Sequence, residues 1–463
     1  MVRDMTQGSE FRQIVLFTIP MLIGAVFQQM YNMVDSIVVG RFVGPNALAA
    51  VGTSFPIIFL LISMVMGLTV GSGVIISQFF GAKQHDQLRR AVSTAFIFQG
   101  VAAIVLSSVG MLLSRPLLQL LRTPPEIIND AAAYMQIYLC GLIFLFAYNS
   151  FAGFLRSLGD SKTPLYFLII STLINIGLDV YFVAVLGWGV RGVAWATLIA
   201  QGVSSALCAI YIYYRVALLR LGRDQWIFDP AIFRTMLRIG IPSAIQQSVA
   251  SMGFMAVQSL INSFGGATMA ANTAAARLDS FAMMPLMNLG MAVSTFTGQN
   301  IGANRLDRVR KGLLVTLSLV ALCALTMSVL VYTFGPQLIQ VFINAEEADV
   351  ISRGVEYLRI VAMFYILFGI MSTFNGVLRG AGDTLVPMYT IVVDLGVRVA
   401  VAYWLTTIPS VSYRGVWWAI PVGWGVASLI PSTRFFTGGW KSKAVVRQQA
   451  LAGMPAAAPS SQD

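Results

Sequence analysis

Charge is scarce in this chain: 11% of its 463 residues are Asp, Glu, Lys or Arg, where a soluble domain carries about 25%. Together with 57% hydrophobic residues and a mean hydropathy of +0.77, that deficit excludes a water-soluble fold. Histidine is rarer still. The one histidine, His85, lies in a polar loop between Lys83 and Arg90, which excludes histidine-based metal sites and catalytic triads. The three cysteines, Cys140, Cys208 and Cys323, stand singly inside apolar segments with no CxxC pair, and read as structural. A nucleophile–base pair, a metal cluster and a phosphate loop are all missing, and the polar loops are too short to hold a catalytic domain. An enzyme is therefore not expected, and no cofactor is implied.

What is present is a series of apolar stretches near 20 residues, the length that crosses about 30 Å of hydrocarbon at 1.5 Å per residue. The first run is longer than the apolar region of a signal peptide and is expected to persist as a helix. Reading apolar runs against charged or Gly/Pro-rich breaks predicts helices at about 13–40, 47–77, 91–113, 131–155, 164–186 and 191–214. A second set is predicted at about 232–264, 268–298, 312–334, 353–378, 386–408 and 414–436. The expected architecture is an all-α polytopic membrane protein with twelve transmembrane helices in two six-helix lobes. The lobes are expected over residues 1–214 and 232–436, with a linker at 215–231 holding Arg220, Arg223, Asp224 and Asp229-Pro230, and a tail at 437–463.

The net charge of +11 would suggest nucleic acid in a soluble domain, but here it has a topological source. Most Lys and Arg fall on one side of the alternating connections: at the N-terminus, at Lys83/Arg89/Arg90, in the central linker, at Arg305/Arg308/Arg310/Lys311 and after Arg434. Positive connections stay in the cytoplasm. Both termini are thus expected on the cytoplasmic side of an inner membrane, with lipid and no nucleic acid as surroundings.

The two sets repeat one another. Ile19-Pro20 matches Ile241-Pro242, and Gln78-Phe-Phe-Gly81-Ala matches Gln299-Asn-Ile-Gly302-Ala. Leu155-Arg-Ser-Leu-Gly-Asp160 matches Leu378-Arg-Gly-Ala-Gly-Asp383, with Pro164 and Pro387 four residues beyond each Asp. Arg191-Gly-Val-Ala-Trp-Ala196 matches Arg414-Gly-Val-Trp-Trp-Ala419. Because an even number of helices makes each half, both enter from the same side and the repeat is parallel, an architecture of transporters. The Leu-Arg-x-x-Gly-Asp loops read first as helix stops, with Gly and Asp supplying turns and Pro preventing continuation.

Ionisable side chains inside the spans are few: Asp35, Asp179, Arg277, Asp279, Asp394 and Arg398. A charge facing hydrocarbon costs roughly 3 kcal/mol even on lenient scales, so each of these turns inward and marks a candidate site. Asp394 and Arg398, four apart, are expected to pair. Arg277 and Asp279, two apart, do not share a face and need separate partners. Asp35 and Asp179 have no basic neighbour in their own helices. Asn175 lies one turn before Asp179, and Tyr31 one turn before Asp35. If these helices face each other, the two acids, the amide and Thr197 form an oxygen-rich pocket that could bind Na⁺, or the two acids could share one proton.

At this point the residues resemble a family. Ile-Pro…Gln-x-Tyr-Asn-x-x-Asp-x-x-x-x-Gly in the first helix, Gln-x-x-Gly-Ala after the second and eighth, and Leu-Arg-x-x-Gly-Asp after the fourth and tenth are similar to the MATE (multidrug and toxic compound extrusion) family, in its bacterial DinF/MepA-like branch. The resemblance covers about Phe11 to Phe436. It implies a secondary antiporter that exports small cationic amphiphilic compounds in exchange for Na⁺ or H⁺, functional as a monomer. It also implies a first-lobe cation or proton site at Asp35, Asn175, Asp179 and Thr197, with Tyr31 and Asp35 also touching substrate. Members of the NorM type carry acids in the seventh and tenth helices; Ser248–Met255 and Phe364–Met371 carry none here, which argues against a second-lobe cation site of that type. Met30, Met33, Met64 and Met66 would suit loose recognition of flat cations. The alternative from the same superfamily is a lipid-linked oligosaccharide flippase, whose cavity is expected to be strongly basic rather than acidic.

Overall fold

The computed structural model of the chain describes residues 2–446; the greater part of the expected tail lies outside the described residues. The described helices are α1 (Glu10–Val38), α2 (Pro45–Gly81), α3 (His85–Leu120), α4 (Ile128–Cys140), α5 (Leu142–Ser157), α6 (Lys162–Asp179) and α7 (Gly189–Arg215). They continue with α8 (Pro230–Asn262), α9 (Gly266–Gly302), α10 (Leu306–Gln340), α11 (Ala348–Ala362), α12 (Tyr365–Gly380), α13 (Leu385–Thr406) and α14 (Arg414–Phe436). Widened π turns extend α1 over Val39–Val43 and α6 over Val180–Val185.

Every predicted segment has its helix, and two of them are broken. The segment predicted at 131–155 is α4 and α5, bent by 44°, and the one at 353–378 is α11 and α12, bent by 48°. Gly141 separates the first pair and lowers the cost of the bend. Met363 and Phe364 separate the second, where neither residue breaks a helix, so packing alone fixes that bend. Seven described helices are individually long and apolar enough to cross a membrane, and nine spans result if each bent pair counts as one. The three rods that fall short are α8, α9 and α14. α9 carries Asn272, Arg277, Asp279 and Asn288 along its length, of which all but Arg277 are buried. Their polar groups are masked by protein rather than absent. The result is an all-α, multi-pass membrane fold of twelve rods, six in each half of the sequence.

By contact density the chain forms two units. One comprises Val15–Ile76 and His85–Ser248 with Arg3; the other comprises Asp4–Ile14, Ser77–Gln84 and the described residues from Val249 onward. In the first unit the polar connection after α7 lies against α3: the Ile227 amide donates to Ser93 Oγ at 2.8 Å and the Asp229 amide to Thr94 Oγ1 at 3.0 Å.

The repeated loops work as helix stops. Gly159 and Gly382 both take positive φ, +81° and +88°, and the amides of Asp160 and Asp383 reach back to the carbonyls of Leu155 and Leu378 at 2.9 Å each. This is the six-residue bond of a glycine C-cap. The carboxylates then diverge. Asp160 caps α6, accepting from the amides of Lys162 and Thr163 and from Thr163 Oγ1, whereas Asp383 accepts from Arg434 Nε at 2.8 Å.

The two Gln-x-x-Gly-Ala repeats meet within the second unit. A Cβ at Gly81 would collide with the Gln299 carbonyl, and one at Gly302 with the Gln78 carbonyl. Each glutamine side chain also holds a chain segment: Gln78 receives the Val445 amide and donates to the Gly380 carbonyl, while Gln299 receives the Met5 amide.

Candidate functional site

The first-unit site begins at α1, where an apolar helix carries Tyr31 and Asp35 one turn apart on one face. Burial follows from what surrounds them. Asn175 and Asp179 occupy the same relation on α6 and are completely buried, and Thr197 on α7 is buried as well. α6 and α7 pack along their lengths, which brings Thr197 beside the α6 pair.

The structure places all five predicted site residues together in this unit. Tyr31 donates its hydroxyl to Thr197 Oγ1 at 3.0 Å. With its amide nitrogen toward the acids, Asn175 donates to Asp35 Oδ1 at 3.0 Å and to Asp179 Oδ2 at 3.2 Å. Both carboxyl groups are thereby held against one amide group. The other oxygen of Asp179, Oδ1, is buried with no hydrogen-bond partner. Two close carboxylates repel one another unless a proton or a cation lies between them, and an orphaned carboxylate oxygen inside a protein costs about 1–3 kcal/mol or more.

Two tyrosines that sequence reasoning did not single out complete the walls. Tyr134 and Tyr138, four apart on α4 with ring centroids at 6.3 Å, both lie within electrostatic reach of Asp35. Their spacing on an apolar helix was a readable signal, though tyrosine at a membrane interface is common. Met30, Met33, Met64 and Met66 are all exposed.

The second unit has acids of another kind. Arg398 holds Asp394 through both carboxylate oxygens, at 3.0 and 3.3 Å, the pairing expected from their spacing. Asp279 on α9 is buried and accepts from Tyr365 at 2.7 Å and Tyr357 at 3.5 Å. Arg277 points elsewhere, exposed and 5.9 Å from the Phe342 ring. The second-unit acids thus have a guanidinium or two hydroxyl donors, whereas the first-unit pair shares the one Asn175 amide and leaves Asp179 Oδ1 without a partner.

Comparison with known proteins gives this arrangement its context. The family model described as MatE matches residues 20–181 and 242–404, one match in each half. The chain is 33% identical to the probable multidrug resistance protein YoeA of Bacillus subtilis (strain 168) over 450 residues, covering 96% of each chain. It is 32% identical to the probable multidrug resistance protein YpnP of the same organism, covering 95% of this chain and 98% of the relative. Among solved structures, the outward-facing conformation of a multidrug resistance MATE family transporter of the MOP superfamily superposes with a TM-score of 0.88 at 25% identity, covering 95% of this chain and 98% of that one. With a family match in each half and relatives that align over almost the whole length, the chain belongs to the MATE family of membrane transporters.

Proposed function

We propose that this chain is a secondary antiporter of the cytoplasmic membrane that exports small cationic amphiphilic compounds in exchange for H⁺ or Na⁺, with both termini in the cytoplasm. The observation that carries this reading is the Asp35–Asn175–Asp179 contact with its orphaned Asp179 oxygen. A site short of one positive charge accepts either a coupling ion or a cationic compound, and not both at once.

Each ligand relieves the same repulsion, so binding of one displaces the other. Mutual exclusion at one site couples two opposed fluxes, because each ligand shifts the population of the states open to either side. Asn175 suits either ion. With its nitrogen inward it bridges two carboxyl groups that share a proton; rotated by half a turn about its last bond, it offers an oxygen beside Asp35, Asp179 and Thr197, a hard-oxygen donor set of the kind Na⁺ takes. An acidic site is the wrong polarity for a pyrophosphate-linked lipid, which sets the flippase reading aside.

The test is ethidium efflux from proteoliposomes of the full chain under a pH gradient alone and under a Na⁺ gradient alone. One gradient should drive accumulation against the dye gradient, and Asp35→Asn should abolish it at unchanged protein level. Wild-type efflux by the Asp35→Asn protein would sink the mechanism.

A further inference from the structure

A groove of about 660 Å³ lies wholly within the second unit, along α11 between the end of α10 and the start of α14. Its size is that of a small-molecule site. Tyr332, Pro336, Met363 and Trp418 give it an apolar wall, and Arg359, Glu356 and Arg414 line it with charge. Tyr332, Met363 and Trp418 are all exposed although they stand on membrane-spanning rods. Their apolar surface has no covering from protein within this unit.

The charges are unequally matched. Glu356 precedes Arg359 by three residues, a spacing at which the two could pair on one helix face. It does not do so. One oxygen of Glu356 takes Arg414 Nε at 2.6 Å and the other accepts from the Tyr413 hydroxyl at 3.5 Å, so the carboxylate is fully engaged. Arg353, the other arginine of α11, is held by Asp349 at 3.0 Å. Arg359 is left exposed with no carboxylate partner among the described residues; the Tyr332 ring lies 5.9 Å from its guanidinium carbon. The groove therefore combines an uncompensated guanidinium with an uncovered apolar wall flanked by Trp and Tyr.

We propose that this groove binds an anionic phospholipid, its phosphate on Arg359 and the upper part of an acyl chain along Met363 and Trp418. The guanidinium fork matches two phosphate oxygens. Tyrosine and tryptophan rings favour the level of the membrane interface. A cationic compound of the class proposed for export is repelled by the same arginine, so this site is distinct in chemistry from the acidic one.

The experiment follows the unfolding midpoint of the full chain in neutral detergent while short-chain phosphatidylglycerol, phosphatidylcholine of the same chain length, or inorganic phosphate is added. Phosphatidylglycerol should raise the midpoint by several degrees in a saturable way, and the other two should not. Arg359→Gln should lose that response while keeping the lipid-free midpoint, and Arg359→Lys should keep part of it. Met363→Trp, at an exposed position that fills the groove, should lose it with the guanidinium intact, and serves where Arg359→Gln does not fold. An equal response to phosphatidylcholine, an equal response to phosphate alone, or a wild-type response in Met363→Trp or a folded Arg359→Gln overturns the proposal.

Discussion

Asn175 is the residue on which the candidate site turns, because its amide reaches both acids. Replacing it by Leu keeps the volume but removes two donated hydrogen bonds, 3.0 and 3.2 Å long, and leaves buried carboxylates with fewer partners. Ion-driven efflux by Asn175→Leu should fall at least tenfold, measured as the initial rate of dye transport in proteoliposomes. Thr197→Val is milder: it removes the oxygen that accepts from Tyr31, and the rate should fall only a few-fold. Equal effects of the two variants would argue that the site is only packing. Asp35, Asn175, Asp179 and Thr197 were legible in the sequence because a polar side chain in an apolar helix must turn toward something. Tyr357 and Tyr365 were not, since a tyrosine in such a helix satisfies its hydroxyl in many ways, and only the structure shows both aimed at Asp279.

At the scale of the element, the repeated glycines and acids do structural work that can be measured. Gly302→Val would drive side-chain atoms into the Gln78 backbone, and backbone cannot move aside as the tip of a flexible side chain can. Folded, monodisperse protein should drop severalfold in fluorescence-detected size exclusion, with Gly81→Val behaving alike because its collision is reciprocal. Arg434→Ala should also lower the unfolding midpoint. It strips Asp383, whose side chain is 4% exposed, of its ion-pair partner, and leaves a buried carboxylate without its charged donor. Asp160→Asn is gentler, since an amide oxygen still caps α6. Helix positions and stops were readable from apolar length, glycine and proline. The 48° bend between α11 and α12 was not, because Met363 and Phe364 carry no local signal for a break.

At the scale of the molecule, the parallel repeat was legible as matched blocks, while the difference between the halves lies in single residues. The family match falls once on each half, yet Val257 occupies the place that corresponds to Asp35, so the second half has no acid at that place and the proposed site belongs to the first half. The repeat predicts a topology that hydropathy alone does not, since α8, α9 and α14 fall short of the apolarity of a free-standing span. If all three cross, Ser263 between α8 and α9 and Glu346 between α10 and α11 lie on one side, and Asp224 and Ser442 on the other. All four are exposed, so cysteines there can be read with a membrane-impermeant maleimide, in a chain whose Cys140, Cys208 and Cys323 are replaced by serine or alanine. Ser263→Cys and Glu346→Cys should label from outside intact cells, whereas Asp224→Cys and Ser442→Cys should label only after permeabilisation. Were α8 and α9 not to cross, position 263 would be shielded while 346 still labelled; were α14 not to cross, position 442 would label from outside. Labelling of 224 from outside would invert the molecule and set the basic connections on the wrong side of the membrane potential.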